Sequence, residues 1–90
     1  MNQTRRKSLQ KLLDQLQPLE PVIEEMRYDI EALKDEEQEY LDAMPDGISE
    51  SARGEAANAA IEALEEAMEL LQQVQSDVVE ATGKVEEAMA

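Results

Sequence analysis

The stretch with the greatest capacity for chemistry is Asp35-Glu36-Glu37-Gln38-Glu39, followed closely by Asp42 and Asp46. Crowded carboxylates can hold a divalent cation, move protons, or present an anionic surface to a basic partner. The rest of the composition narrows these options. The chain has no His and no Cys, which removes the commonest neutral-pH base, the commonest metal ligand and all thiolate and disulfide chemistry. No Glu-x-x-His pair exists for a di-iron bundle. A calcium loop begun at Asp42 would put Met44 at its third position and Arg53 at its twelfth, so it is rejected. Three scattered glycines form no phosphate loop. No catalytic residue, cofactor site or metal site is expected, and the carboxylates read as a surface.

That surface is strongly acidic. Twenty-two Asp and Glu against eight Lys and Arg give a formal charge of −14 over 90 residues. Such a chain repels nucleic acid and anionic membrane and attracts basic proteins. Arg5, Arg6, Lys7 and Lys11 gather at the start of the first helical pattern, and Glu36, Glu37, Glu39 and Asp42 crowd its end. Both groups oppose the helix macrodipole. The basic group is expected to meet Glu86 and Glu87, whereas the acidic group has Glu50 and Glu55 near it and only Arg53 to oppose it. Expected partner-binding residues are therefore Asp35, Glu36, Glu39 and Asp42, joined by Glu62 and Glu66, which are expected to lie across from Glu24, Glu25, Asp29 and Glu31. Tyr28, one of two aromatics, is an anchor candidate on the outer face.

Helices must position these groups. Apolar residues recur at Leu9, Leu12, Leu16, Leu19, Ile23, Met26, Ile30 and Leu33, and the count continues to Glu37, Tyr40 and Met44. Alternating steps of three and four make a heptad seam with Glu37 as its polar member. Glu37 is expected to bend outward near the chain reversal or to pair with Arg53. Leu13, Val22 and Leu41 widen the stripe beyond what one partner helix needs. Thr4 is the expected N-cap. Pro18 and Pro21 fall on the outer face. One kinked helix over 4–44 is the favoured geometry, the alternative being a helix to Gln17 and a new one from Pro18 or Pro21.

Pro45 ends this helix, Asp46-Gly47 makes the turn within 45–50, and Ser49 or Ser51 caps a second helix over 51–86. Its seam reads Ala57, Ile61, Leu64, Met68, Leu71, Val74, Val78, Val85 and Met89. Small residues precede it, from Ala52 to Ala63, and allow close approach of two helix axes. The expected fold is all-α: one domain over 1–90, a long antiparallel coiled-coil-like helical hairpin dimerising into a four-helix bundle. No uncharged apolar run reaches the length of a membrane span.

Several stretches carry a resemblance. Arg5-Arg6-Lys7 before a Leu-rich helix, Asp35-Glu36-Glu37-Gln38-Glu39-Tyr40, Met44-Pro45, and Ser51-Ala52-Arg53-Gly54-Glu55 before an Ala/Glu helix resemble a family of short acidic proteins found in bacteriophages, prophages and bacterial genomes. The resemblance covers nearly the whole chain. It implies a phage or bacterial setting and no settled activity or catalytic residues; a cytoplasmic location is expected instead from the polar, basic opening and the lack of a long apolar run. Pro18 and Pro21 depart from the continuous first helix of that family.

The functional expectation is a non-enzymatic interaction module that occupies a basic surface on a partner protein, in the manner of a DNA mimic. It binds neither nucleic acid nor membrane directly. The rival expectation is a structural or chaperone-like adaptor, in which the apolar stripe binds and the charge only solubilises.

Overall fold

A computed structural model describes all 90 residues, and 89% of them are helical, with no strand. The protein is all-α. Its elements are α1 (Gln3–Leu16), α2 (Leu19–Asp42), the single turn α3 (Asp46–Ser49) and α4 (Ala52–Met89). They divide into two compact units. One comprises Met1–Glu25 with Leu71–Ala90, and the other Met26–Leu70.

In the first unit, α1 is capped by Asn2 and not by Thr4. The Asn2 Oδ1 accepts from the Arg5 amide at 2.8 Å. Asn outranks Thr as a cap, and it stands two residues earlier. The helix then stops at Leu16 and a new one begins at Leu19, where the favoured sequence reading has one kinked helix. Pro18 has no N–H to give the Asp14 carbonyl, so the ladder breaks there. Pro21 lies in the first turn of α2, where donors have no partner inside the helix in any case. A restart at Leu19 therefore accommodates both prolines, although Gln17 itself keeps helical dihedrals of −57° and −41°. The unit's buried apolar residues are Leu13 and Ile23. The Gln75 side chain donates to the Glu20 carboxylate at 2.8 Å, joining α4 to α2.

In the second unit the connection differs from a simple Asp-Gly turn. Pro45 is extended (φ −60°, ψ 150°) and its carbonyl accepts from Ile48 and Ser49, which winds Asp46–Ser49 into α3. No residue has positive φ, so the conformational freedom of Gly47 is not used. The Ser49 hydroxyl donates to the Asp46 carbonyl at 3.0 Å, and the Ser51 hydroxyl donates to the Ile48 carbonyl. Neither serine side chain caps α4 in those bonds. The Ser51 carbonyl accepts from Glu55 at 3.0 Å as α4 begins.

The glycine that matters is Gly54, which is buried. A methyl group there would overlap the Ser49 carbonyl and lie 2.8 Å from the Ser49 Cα. Its bare backbone lets the first turn of α4 pack on α3. Ala57 and Ile61, one and two turns later, complete the buried residues of this unit.

Candidate functional site

The site candidates are surface rows on α2 and α4, so the covered face of each helix must be fixed first. On α1 and α2 the buried and half-buried residues include Leu9, Leu13, Leu16, Glu20, Ile23, Arg27, Ile30, Lys34, Glu37, Leu41 and Met44. These step by four and three without a slip. The seam shares Leu9, Leu16, Ile23, Ile30, Glu37 and Met44 with the sequence reading. Its other row is Leu13, Glu20, Arg27, Lys34 and Leu41. The expected row, Leu12, Leu19, Met26, Leu33 and Tyr40, is exposed throughout, at 42–55%.

The row that turned inward is thus the more polar one. Long side chains explain how it is tolerated. Glu, Arg and Lys cover a helix contact with their methylene stems and carry the charged end out to water. Lys34 does this: its Nζ lies 3.9 Å from the Glu65 carboxylate of α4. Glu20 meets Gln75 in the same way. Glu37 is half-buried within the seam and neither bends outward nor pairs with the exposed Arg53.

On α4 the covered residues include Gly54, Ala57, Ile61, Leu64, Met68, Leu71, Gln75, Val78, Thr82, Val85 and Met89. The sequence seam is reproduced there except at one step. Val74 is exposed, and Gln75 takes the place beside Glu20. Glu87, expected near the basic segment of α1, pairs instead with Lys84 of its own helix at 3.0 Å. Arg5, Arg6 and Lys7 are exposed.

Relative to these seams, the partner-binding candidates fall into distinct rows. Tyr28, Asp35 and Asp42 are seven residues apart and share one row of α2. Glu39 lies beside that row, also away from the seam. Glu62 and Glu66 take the corresponding outer positions on α4. All six are exposed and lie in the second unit. Glu36 is separated from them: it lies on the other flank of α2, next to the exposed Leu33 and Tyr40. The structure therefore brings six of the seven candidates onto outward-facing rows and leaves Glu36 at the edge of an apolar strip.

Counting along the helices extends this pattern. Fifteen of the 22 acidic residues occupy rows outside both the seams and the exposed apolar flank, and three (Asp29, Glu36 and Asp77) lie on that flank. No cluster of three or more carboxylates is arranged to hold a metal ion. The local carboxylate contact in the acidic stretch is Gln38 donating to Asp42 at 2.9 Å, on the exposed surface. No helix is long and apolar enough to cross a membrane. The arrangement offers surface charge and surface apolarity, segregated from one another. Comparison with known protein families, with characterised proteins and with solved structures finds no match.

Proposed function

We propose that the chain is an antiparallel helical hairpin that works without catalysis, as an acidic interaction module occupying a basic surface on a partner protein. Contacts within each unit support the hairpin: Glu20 with Gln75 in one, Lys34 with Glu65 in the other, each joining α2 to α4. The segregation of acidic residues carries the functional reading. Asp35, Glu39 and Asp42 face the same solvent as Glu62 and Glu66, which concentrates like charge on the rows a basic partner can reach. The partner class this reading favours is a nucleic-acid-binding protein, whose basic groove attracts a surface of concentrated negative charge.

The test is capture of a basic DNA-binding protein by the parent chain and by an Asp35→Asn, Glu39→Gln, Asp42→Asn triple variant. Each change preserves size and removes one charge from an exposed position, so helicity should hold. Binding by the parent should fall steeply as salt rises, since exposed charges are screened over ~10 Å at 0.1 M. The triple variant should bind several-fold more weakly at low salt, with the difference vanishing at high salt. Equal binding by both proteins at every salt concentration would refute the acidic-surface reading. It would favour the adaptor reading, which the exposed Leu12, Leu19, Met26 and Leu33 support.

A further inference from the structure

The apolar flank left open by the intramolecular seam has its own occupant. We infer that in the second unit this flank is the interface with a second copy of the chain, related by a two-fold axis. The inference rests on the hairpin reading and is independent of what the acidic rows bind.

Three observations carry it. The first is which residues are exposed. On α2 the flank presents Met26, Leu33 and Tyr40, and on α4 it presents Leu70 beside the half-buried Ala60 and Ala67. In an antiparallel pair both flanks fall on one side. The Lys34–Glu65 contact fixes this, because it joins the opposite flanks of the two helices. The face so formed has a bulky row next to a small one. A two-fold rotation lays the bulky row of one copy over the small row of the other, which is the self-complementarity an isologous interface requires.

The second observation is area. The chain exposes 6561 Å², whereas a folded monomer of its 10.1 kDa ordinarily exposes about 5,300 Å². The excess of about 1,300 Å², taken over both units together, exceeds the ~800 Å² that each partner gives up in a standard interface.

The third observation is charge. With −14 on each copy, most of the surface repels a second copy. The flank in this unit carries only Asp29 and Glu36, at its margin. Association through it keeps the nine outer acidic residues of this unit facing solvent, where a basic partner can reach them. A dimer would thus present two acidic faces, one on each side.

Sedimentation equilibrium on the full chain tests this, with Leu33→Glu as the interface variant and Asn58→Glu as a control at an exposed outer position of α4. The parent and Asn58→Glu should sediment as dimers at low micromolar concentration. Leu33→Glu should sediment as a helical 10.1 kDa monomer, its dimer dissociation constant raised roughly hundredfold or more, as for a charge placed in an apolar interface core. Added salt should tighten the parent dimer, because only repulsion is screened, whereas capture of a basic partner weakens under the same change.

A monomeric parent, or a Leu33→Glu variant that dimerises like the parent, would overturn the proposal. If Leu33→Glu loses its helical signal as well, single-cysteine variants decide. The chain has no cysteine of its own, so Leu33→Cys and Asp35→Cys can each be treated with a short bis-maleimide. Cross-linking at position 33 but not at 35 supports the interface, and equal or stronger cross-linking at 35 overturns it. The hairpin is checked separately by a Lys34→Cys, Glu65→Cys double variant. Its cross-link within one chain distinguishes failure of the interface from failure of the hairpin.

Discussion

Replacing Gly54 with alanine opposes two effects whose sizes can be compared. Alanine is the better helix former by about 0.8–1.0 kcal/mol in a helix interior, so a glycine near the start of the 38-residue α4 looks like a defect to repair. The structure says otherwise. The new methyl group would overlap the carbonyl of Ser49, and its nearest atoms are all backbone. No side-chain rotation can relieve the overlap. Either α3 must move away or the first turn of α4 must unwind, and over-packing of this kind costs about 1–3 kcal/mol or more. Movement at this point also loosens Ala57 and Ile61, two of the four buried apolar residues in the chain. Because the overlap is with backbone, the cost should lie toward the upper end of that range, for a net loss approaching about 2 kcal/mol, or a fall in Tm of roughly 8–16 °C for a domain of this size. Gly83 is the internal control. A methyl group there meets nothing within 4 Å, so Gly83→Ala should keep the helix-propensity gain and raise Tm by roughly 4–8 °C. Thermal unfolding followed by circular dichroism measures both. If Gly54→Ala melts at or above the parent temperature, the close contact of α4 with Ser49 is not what holds this end of the chain together.

The adjacent leucines of α1 should behave differently. Leu13 is buried and Leu12 is about half exposed, so at submicromolar concentration Leu13→Ala should cost about 2–5 kcal/mol in urea unfolding and Leu12→Ala less than about 1 kcal/mol. Equal costs would mean that the covered row has been misplaced. Pro18→Ala restores the donor for the Asp14 carbonyl, and Gln17 already has helical dihedrals. The variant should fuse α1 and α2 without shifting the seam, increase the helical signal and raise Tm, up to the ~3 kcal/mol cost of an interior proline. A lower Tm would show that the interruption itself is required by the packing of the first unit.

The sequence alone determined that the protein is all-α, because the recurrence of apolar residues at steps of three and four suits no other secondary structure. It located the row Leu9, Leu16, Ile23, Ile30, Glu37 and Met44, and nearly the whole seam of α4. That helix is readable because few rows other than the true seam carry large apolar side chains. It also anticipated that Asp35, Glu39 and Asp42 are exposed, since most charged side chains stay in water wherever the helix goes, although Glu37 is half-buried in the seam.

The tertiary structure alone decided which neighbour of the central row of α1 and α2 turns inward. A stripe with Leu12, Leu19, Met26, Leu33 and Tyr40 on one flank and Leu13 and Leu41 on the other satisfies helical periodicity either way. Hydrophobicity favours the first flank, but the helix packs on the second. There, Glu20 and Lys34 reach partners on α4 while their stems cover the contact. The connection between α2 and α4 was equally out of reach. Asp46-Gly47 has the composition of a tight turn, yet the connection winds into α3 because the Pro45 carbonyl can accept from two successive amides. The role of Gly54 depends on the distance to a backbone atom five residues away. Local composition carries no record of such a distance, which is set only when the two segments pack.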